Sequence, residues 1–133
     1  MSRIETPSRT RGVDGQTLAT IHAAFAPRAV RAWLCAKGSE RFVGMSRNAR
    51  ACPLAILLRE RGIAARVGRH QVLLRDRIGG YSSERLIDAE DIGPFLPRFV
   101  AALDSAYRDE EGSLAGVRVT AGQALAILDG LDV

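Results

Sequence analysis

Hydrophobic side chains recur at helical spacing near the start of the chain. Leu18, Ile21 and Phe25 follow one another at i, i+3 and i+7, which places them on one face of a helix. Asp14 stands ahead of them and suits the capping position, where its carboxylate can accept a backbone N–H. Pro27 suits the first position of a second helix. The chain is therefore predicted to open with two short helices.

A third helix has the clearest start in the chain. Pro53 fits the first helical position, so we expect Cys52 to be the capping residue. The buried face of this helix is predicted to consist of Leu54, Leu57 and Leu58, which are three and four residues apart.

Two more helices are predicted in the second half of the chain. A helical period of apolar residues begins at Phe95 and continues to about residue 108. Thr120 and Gln123 have the three-residue spacing of a capping box, which marks the start of the last helix. That helix is expected to complete the core or to form part of a dimer interface. Its predicted apolar face is Leu125, Leu128 and Leu131.

Alternation of apolar and polar residues predicts a β-hairpin over about residues 63–76. Ala65 and Val67 alternate in its first arm, and Val72 and Leu74 alternate in its second arm. Residues 68–71 are expected to connect the two arms. Shorter strands are predicted near residues 41–44, 84–88 and 117–119, and Gly79-Gly80 is predicted to be a turn. The pattern of residues 84–88 also fits a helical turn, with a strand favoured.

These elements predict an α+β protein with a small, mostly antiparallel sheet covered by about five helices. A chain of 133 residues, 47% hydrophobic and 26% charged, has the size and composition of one globular domain, which we assign to residues 14–133. Residues 1–13 are polar and basic, which predicts a flexible N-terminal arm. The start of the chain has no apolar run typical of a signal peptide, and no stretch is long enough to span a bilayer. We therefore expect a cytoplasmic protein with reduced thiols and no membrane association.

Positive charge is concentrated in the first part of the chain. Fifteen of the nineteen Lys and Arg residues lie in residues 1–80 with five acids, which gives +10, and residues 81–133 carry four Arg and ten acids, which gives −6. Within the first part, residues 47–77 contain eight Arg and two acids, Glu60 and Asp76. Such a cluster is typical of a surface that binds a polyanion.

The segment Ser46–Arg50 stands ahead of the third helix and is a candidate anion site. Free backbone N–H groups, the helix dipole and two guanidinium groups could together hold a phosphate there. A second basic cluster surrounds the predicted hairpin, where Arg66 and Arg75 are expected on its polar face and Arg69 at its turn. The predicted nucleic-acid or anion-binding residues are Ser46, Arg47, Arg50, Arg66, Arg69, Arg75 and Arg77.

Cys52 is a candidate reactive thiol. A helix N-terminus and the neighbouring Arg47 and Arg50 are both expected to favour the thiolate and lower its pKa. A thiol or phosphate-handling enzyme centred on Cys52 is therefore one hypothesis. The alternative is that Cys52 is a buried capping residue with no chemical role.

Other catalytic and cofactor patterns are missing from the sequence. There is no Gly-rich phosphate loop, no dinucleotide fingerprint and no Gly-x-Ser-x-Gly. His22 is expected to pack in the core and His70 to lie in a turn, so no cluster with metal-ligand spacing is predicted. We expect no catalytic residues, no metal and no cofactor.

The sequence thus favours a small cytosolic binding or regulatory module without catalytic activity. Its basic face, residues 47–77, would bind a polyanion, with nucleic acid as the first candidate. The alternative is a protein–protein or self-associating module, in which the basic surface meets an acidic protein or the acidic part of a second copy. Asp129, in the last helix, opposes the helix dipole and would be relieved by such a basic partner.

Overall fold

A computed structural model describes residues 10, 13–78, 81–107 and 116–131. Among these residues, α-helices and strands alternate irregularly along the chain, and a single 3-10 turn (Ala89–Asp91) precedes the fourth helix. The helices are α1 (Gly15–Ala24), α2 (Pro27–Lys37), α3 (Pro53–Glu60), α4 (Phe95–Ala106) and α5 (Ala121–Gly130). The strands are β1 (Phe42–Met45), β2 (Ala65–Val67), β3 (Gln71–Ile78), β4 (Tyr81–Asp88) and β5 (Arg118–Thr120).

The described strands form two separate antiparallel sheets. One pairs β1 with β5, and the other has the order β2-β3-β4. The α+β class and the antiparallel pairing are confirmed. The prediction of one sheet is wrong, since the described strands form two. The reason is that β1 pairs with β5, which is far along the chain, and not with a strand of the hairpin.

Three of the five described helices, α1, α3 and α5, begin with the predicted capping chemistry. Asp14 accepts the N–H of Thr17 at 2.7 Å, and the Cys52 Sγ accepts the N–H of Ala55 at 3.4 Å. The box of Thr120 and Gln123 is complete, since each side chain accepts a backbone N–H of the other residue. These bonds are local in sequence, so the residue types alone could predict them.

The predicted hairpin is present and is extended by a third strand. Val67 faces Val72 across β2 and β3, and Val72 faces Ile87 across β3 and β4. All three side chains are buried, whereas their neighbours along the strands are less buried, as the alternation predicted. The connection between β2 and β3 is three residues long, 68–70, one fewer than expected. Gly79 and Gly80 lie outside the described residues.

The core lies where the helices meet the two sheets. Trp33 and Leu34 of α2, Leu57 of α3 and Phe99 of α4 belong to one continuous buried cluster. The α5 helix packs against α2, and its buried face shares Leu128 with the predicted face but otherwise consists of small residues. That face consists of Ala121, Ala124 and Leu128, with Leu125 and Leu131 partly buried.

A close backbone approach shapes the end of β1. The register with β5 shifts between Phe42 and Gly44, which is a β-bulge. A Cβ atom on Gly44 would lie 2.4 Å from the carbonyl oxygen of Ala51, so a larger residue does not fit without backbone movement. The Met45 N–H also donates to the Ala51 carbonyl at 2.7 Å. The bulge thus folds residues 46–51 back against β1.

The N-terminal segment is described only at residues 10 and 13. Thr10 accepts the N–H of Asp88 at 2.9 Å and donates to the carboxylate of Asp91. Val13 packs against the core. The remainder of the predicted arm, residues 1–9 and 11–12, lies outside the described residues. No helix in the described part of the chain is long and apolar enough to cross a membrane.

Candidate functional site

The residues after β1, the β2–β3 turn and α4 together surround a cavity of about 330 Å³. We call it the Arg47–Arg69 cavity, after the cation that each of the first two segments contributes. Val67 donates its N–H to the Ala49 carbonyl at 2.8 Å, which holds the loop against the start of the hairpin turn. The cavity is lined by Arg47, Asn48, Ala49, Cys52, Val67, Gly68, Arg69, Val100 and Asp104.

Arg47 has an unusual backbone conformation at this cavity. Its φ of 54° is left-handed, which is uncommon for a residue other than glycine. Its N–H donates to the Oδ1 atom of Asp104 at 2.7 Å, so α4 supports the turn. The Arg47 side chain is exposed, as are those of Arg50 and Arg69.

Four of the backbone N–H groups in this loop already have acceptors inside the protein, those of Ser46, Arg47, Arg50 and Ala51. Asn48 accepts the N–H groups of Arg50 and Ala51 through its Oδ1 atom, at 3.1 and 3.2 Å. The N–H of Arg47 is taken by Asp104, and that of Ser46 donates to the Val117 carbonyl at 2.9 Å. These four N–H groups are therefore not available to an anion, whereas Arg47 and Arg50 are exposed.

Ser46 is a structural residue in this fold. It is fully buried, and its hydroxyl donates to the Tyr107 carbonyl and accepts the N–H of Val117 at 3.2 Å. These bonds link β1 to the end of α4 and to the approach to β5. A ligand outside the protein therefore does not reach Ser46, contrary to the expectation from its place in a basic loop.

Cys52 is in a setting opposite to the one expected from the helix dipole. Burial raises the pKa of its thiol to about 11, and the negative charge of Asp104 acts in the same direction. The N–H groups of Ala55 and Leu54 lower the pKa, but by less than burial raises it. The expectation of a lowered Cys52 pKa is therefore wrong, because the sequence could show the helix start but not the depth of burial.

Arg66 and Arg75 lie on the side of the β2-β3-β4 sheet opposite its buried face. Arg66 faces Leu73, and Arg75 faces Glu84, in the register of the sheet. Glu84 also forms an ion pair with Arg66, at 2.5 Å between Nη2 and Oε1. This carboxylate offsets part of the positive charge of the sheet face. Arg77 is on β3, but its side chain lies outside the described part of the structure.

The predicted site residues thus divide into three groups. Arg47 and Arg69 line one cavity, and Arg50 is exposed in the same loop as Arg47. Arg66 and Arg75 belong to the outer face of the sheet. Ser46 and Cys52 are buried, although the Cys52 residue lines the inner wall of the cavity.

Asp104 is the cavity residue that the sequence analysis missed. It follows Val100 by four residues, which places both on the same face of α4. Both residues line the cavity. The sequence feature that could have indicated this is a carboxylate on the same helix face as the apolar residues. Without the fold, that signal could not be connected to Arg47.

A second cavity of about 420 Å³ lies under the β2–β3 turn and also has Arg69 in its wall. Two carboxylates, Asp88 and Glu90, line it together with His70 and two prolines, Pro94 and Pro97. Asp88 and Glu90 make this cavity more acidic than the first one. Arg69 therefore lines two cavities, of which the first is more basic and the second more acidic.

The acidic end of α5 is compensated within the chain. Asp129 pairs with Arg31 of α2, with 2.5 Å between Oδ1 and Nη2. A basic partner is therefore not needed to offset the negative charge of Asp129 at the C-terminal end of α5.

Metal-ligating side chains do not converge in the described part of the chain, where no group of three or more His, Cys, Asp or Glu residues has suitable proximity. His22 is exposed, contrary to the expectation that it packs in the core. Cys35 and Cys52 are free thiols, the first exposed and the second buried.

No protein-family model, no curated protein and no solved structure matches this chain.

Proposed function

We propose that this protein is a non-enzymatic binding module that holds the phosphate backbone of nucleic acid at the mouth of the Arg47–Arg69 cavity. The observation that carries the proposal is that Arg47 and Arg69, from different segments, line the same cavity. Arg50 adds a third exposed guanidinium in the same loop, and Asp104 is the one carboxylate among the lining residues. The lining thus holds two guanidinium groups and one carboxylate, and the third cation in the loop shifts the balance further towards an anionic ligand.

Arginine suits this task because its planar guanidinium can donate two parallel hydrogen bonds to one phosphate. The framework also limits how far the two cations can separate. Val67 ties the loop to the hairpin through the Ala49 carbonyl, and Asp104 ties it to α4. Phosphate contacts of this kind position a nucleic acid without reading its sequence.

The outer face of the sheet is a weaker candidate for the same ligand. Glu84 is paired with Arg66 and faces Arg75, so a phosphate there would compete with a carboxylate already in place. We therefore assign Arg66 and Arg75 a supporting, longer-range electrostatic part. Arg47, Arg50 and Arg69 are assigned the direct contacts.

Fluorescence anisotropy with labelled single-stranded and double-stranded DNA and RNA tests the proposal. Three phosphate contacts predict that log K falls with log salt with a slope of about −2 on a single strand. Affinity should then fall by roughly tenfold or more between about 50 mM and about 200 mM salt. Absence of binding to every one of these nucleic acids at low salt would contradict the proposal.

Polyglutamate is used as a competitor because it carries the negative charge of an acidic protein without phosphate groups. If it displaces the nucleic acid at equal charge concentration, the surface binds acidic chains in general, and the alternative of an acidic protein partner is then favoured. If polyglutamate does not displace the bound nucleic acid, phosphate recognition by the guanidinium groups is supported.

A further inference from the structure

We propose that the Arg47–Arg69 cavity takes one unpaired base of the nucleic acid, and that Asp104 selects bases that carry an amino group. This inference rests on the proposed function, since the phosphate contacts of Arg47 and Arg69 would bring the strand to the cavity. It adds a preference for single strands and for base type, which phosphate contacts alone do not give.

The carboxylate in the cavity is the observation that leads to this proposal. A site for phosphate alone would be weakened by Asp104, because like charges repel at short range. Asp104 nevertheless lies in the cavity wall together with Arg47 and Arg69. A ligand that satisfies all three must carry negative charge at one end and a hydrogen-bond donor at the other, as a nucleotide with an amino group does.

The Asp104 carboxylate has acceptor capacity beyond its bond inside the protein. Its Oδ1 atom accepts the Arg47 N–H at 2.7 Å. An ionised carboxylate has about four lone-pair sites on two oxygens, so one backbone bond leaves capacity for a ligand donor. The Arg47 bond also fixes the carboxylate in place before a ligand arrives.

The dimensions and walls of the cavity suit one base. Its volume of about 330 Å³ lies at the lower end of the ~300–1,000 Å³ range of small-molecule sites. Val67 and Val100 line the cavity with a small apolar area, since only 1% and 5% of these residues are exposed, and the edge of a base ring can pack against it. A paired base inside a duplex cannot enter, because it would first have to leave the stack.

Base chemistry then sets the selectivity. Cytosine presents the amino group at N4, and Asp and Glu accept from that group in known patterns of base recognition. Thymine has no amino group, and its ring N–H is flanked by two carbonyl oxygens that face a carboxylate unfavourably. We therefore expect oligo-dC to bind more tightly than oligo-dT, by about tenfold for a hydrogen bond to a charged group.

The test is anisotropy with oligo-dC and oligo-dT of about twelve nucleotides, a length within the usual range of single-strand sites. The variant is Asp104→Asn, whose amide oxygen can still accept the Arg47 N–H while its NH₂ group replaces an acceptor with a donor. The variant should lose the dC preference of the native protein. Glu90→Gln, which removes one negative charge from the second cavity, is the control and should keep that preference.

The outcomes separate the two proposals. If native protein binds both oligonucleotides equally, or if Asp104→Asn keeps the dC preference, the base-binding inference is wrong while phosphate binding stands. If a duplex of the same sequence competes as well as the single strand, the inference is equally wrong. If neither oligonucleotide binds at low salt, the proposed function fails and the inference fails with it.

Discussion

Asp104 accepts the backbone N–H of Arg47 at 2.7 Å, and this bond joins the loop after β1 to the last turn of α4. A carboxylate in the last turn of a helix opposes the helix dipole, so its position there is unfavourable for α4 itself. The left-handed turn at Arg47, with φ of 54°, is also unfavourable for a side chain other than glycine. The hydrogen bond between the two residues offsets the cost of both features. It also places the Arg47 cation and the Asp104 anion at one cavity.

Asp104→Ala should therefore lower stability more than Asp104→Asn does. The alanine variant leaves the Arg47 N–H without its protein acceptor, and because this bond is exposed and water can replace the carboxylate, we expect a cost of about 1 kcal/mol. The asparagine variant keeps an acceptor oxygen and should lose less than half as much. Urea denaturation of both variants gives the comparison, and equal losses would show that the bond does not support the turn.

Arg47→Gln and Arg69→Gln should each weaken binding to oligonucleotides and reduce the salt dependence. Each removes one phosphate contact, so the slope of log K against log salt should become shallower by about 0.7 on single strands. Arg28→Gln, an exposed residue of α2 outside the Arg47–Arg69 cavity, is the control for loss of one charge. If Arg28→Gln has the same effect as the other two, the charge of the whole protein is responsible and the cavity is not.

Cys52 should be alkylated slowly at neutral pH, because burial raises the pKa of its thiol to about 11 and shields the sulfur. Iodoacetamide should label native Cys35→Ser protein, in which Cys52 is the remaining cysteine, far more slowly than the same protein in urea. Rapid labelling of the folded Cys35→Ser protein would contradict this prediction and support the hypothesis of a thiol enzyme.

The same pKa predicts a loss of stability in alkali. The unfolded thiol ionises near 9 and the folded one near 11, so the native state holds more protons between these values. The contribution is fully present below pH 9, and stability falls as pH rises from there by up to about 1 kcal/mol per pH unit. Cys52→Ser keeps a capping atom and should remove this part of the slope. An unchanged slope in denaturation curves at several alkaline pH values would contradict the prediction.

Glu60 links the ends of α2 and α3 and should make stability sensitive to acid. Hydrogen bonds from Lys37 and Trp33 hold the pKa of this carboxyl below its usual 4.5. A lowered folded pKa means that the contribution is present above pH 4.5 and is lost as pH falls through the folded value.

Glu60→Gln should flatten that acid dependence and cost less than about 1 kcal/mol at neutral pH, since the pair is partly exposed. Trp33, the single tryptophan, donates its Nε1–H to Glu60 at 3.1 Å, so its emission reports on this contact. Identical acid titrations of fluorescence in both proteins would exclude the link.

Gly44→Ala should destabilise the fold by about 1–3 kcal/mol, as overpacking of a tight site does. Its new Cβ would lie 2.4 Å from the Ala51 carbonyl, so β1 or the following loop must move. Gly15→Ala is the control, because a Cβ atom there meets nothing within 4 Å among the described residues. Thermal melting of both variants checks this, and a Gly44→Ala protein as stable as the native one would show that the loop can adjust freely.

Local chemistry explains why many elements could be predicted from the sequence. The caps at Asp14, Cys52 and Thr120 depend on residues three positions away, and the alternation around Val67 and Val72 follows from the pleat of a strand. The helix starts, the hairpin and the α+β class needed no information from distant parts of the chain.

The candidate site was predictable only in part. The sequence pointed to Arg47, Arg50 and Arg69 as cations, because charge and loop position are local properties. It misjudged Ser46 and Cys52, whose roles depend on burial by segments far along the chain.

The sequence by itself determined the element types, their caps and the concentration of arginine between residues 47 and 77. Only the tertiary structure decided that β1 pairs with β5, that Glu84 pairs with Arg66, and that Asp104 meets the loop of Arg47. The physical reason is range. Caps and alternation act over a few residues, whereas burial and ion pairing depend on which distant segments the core brings together.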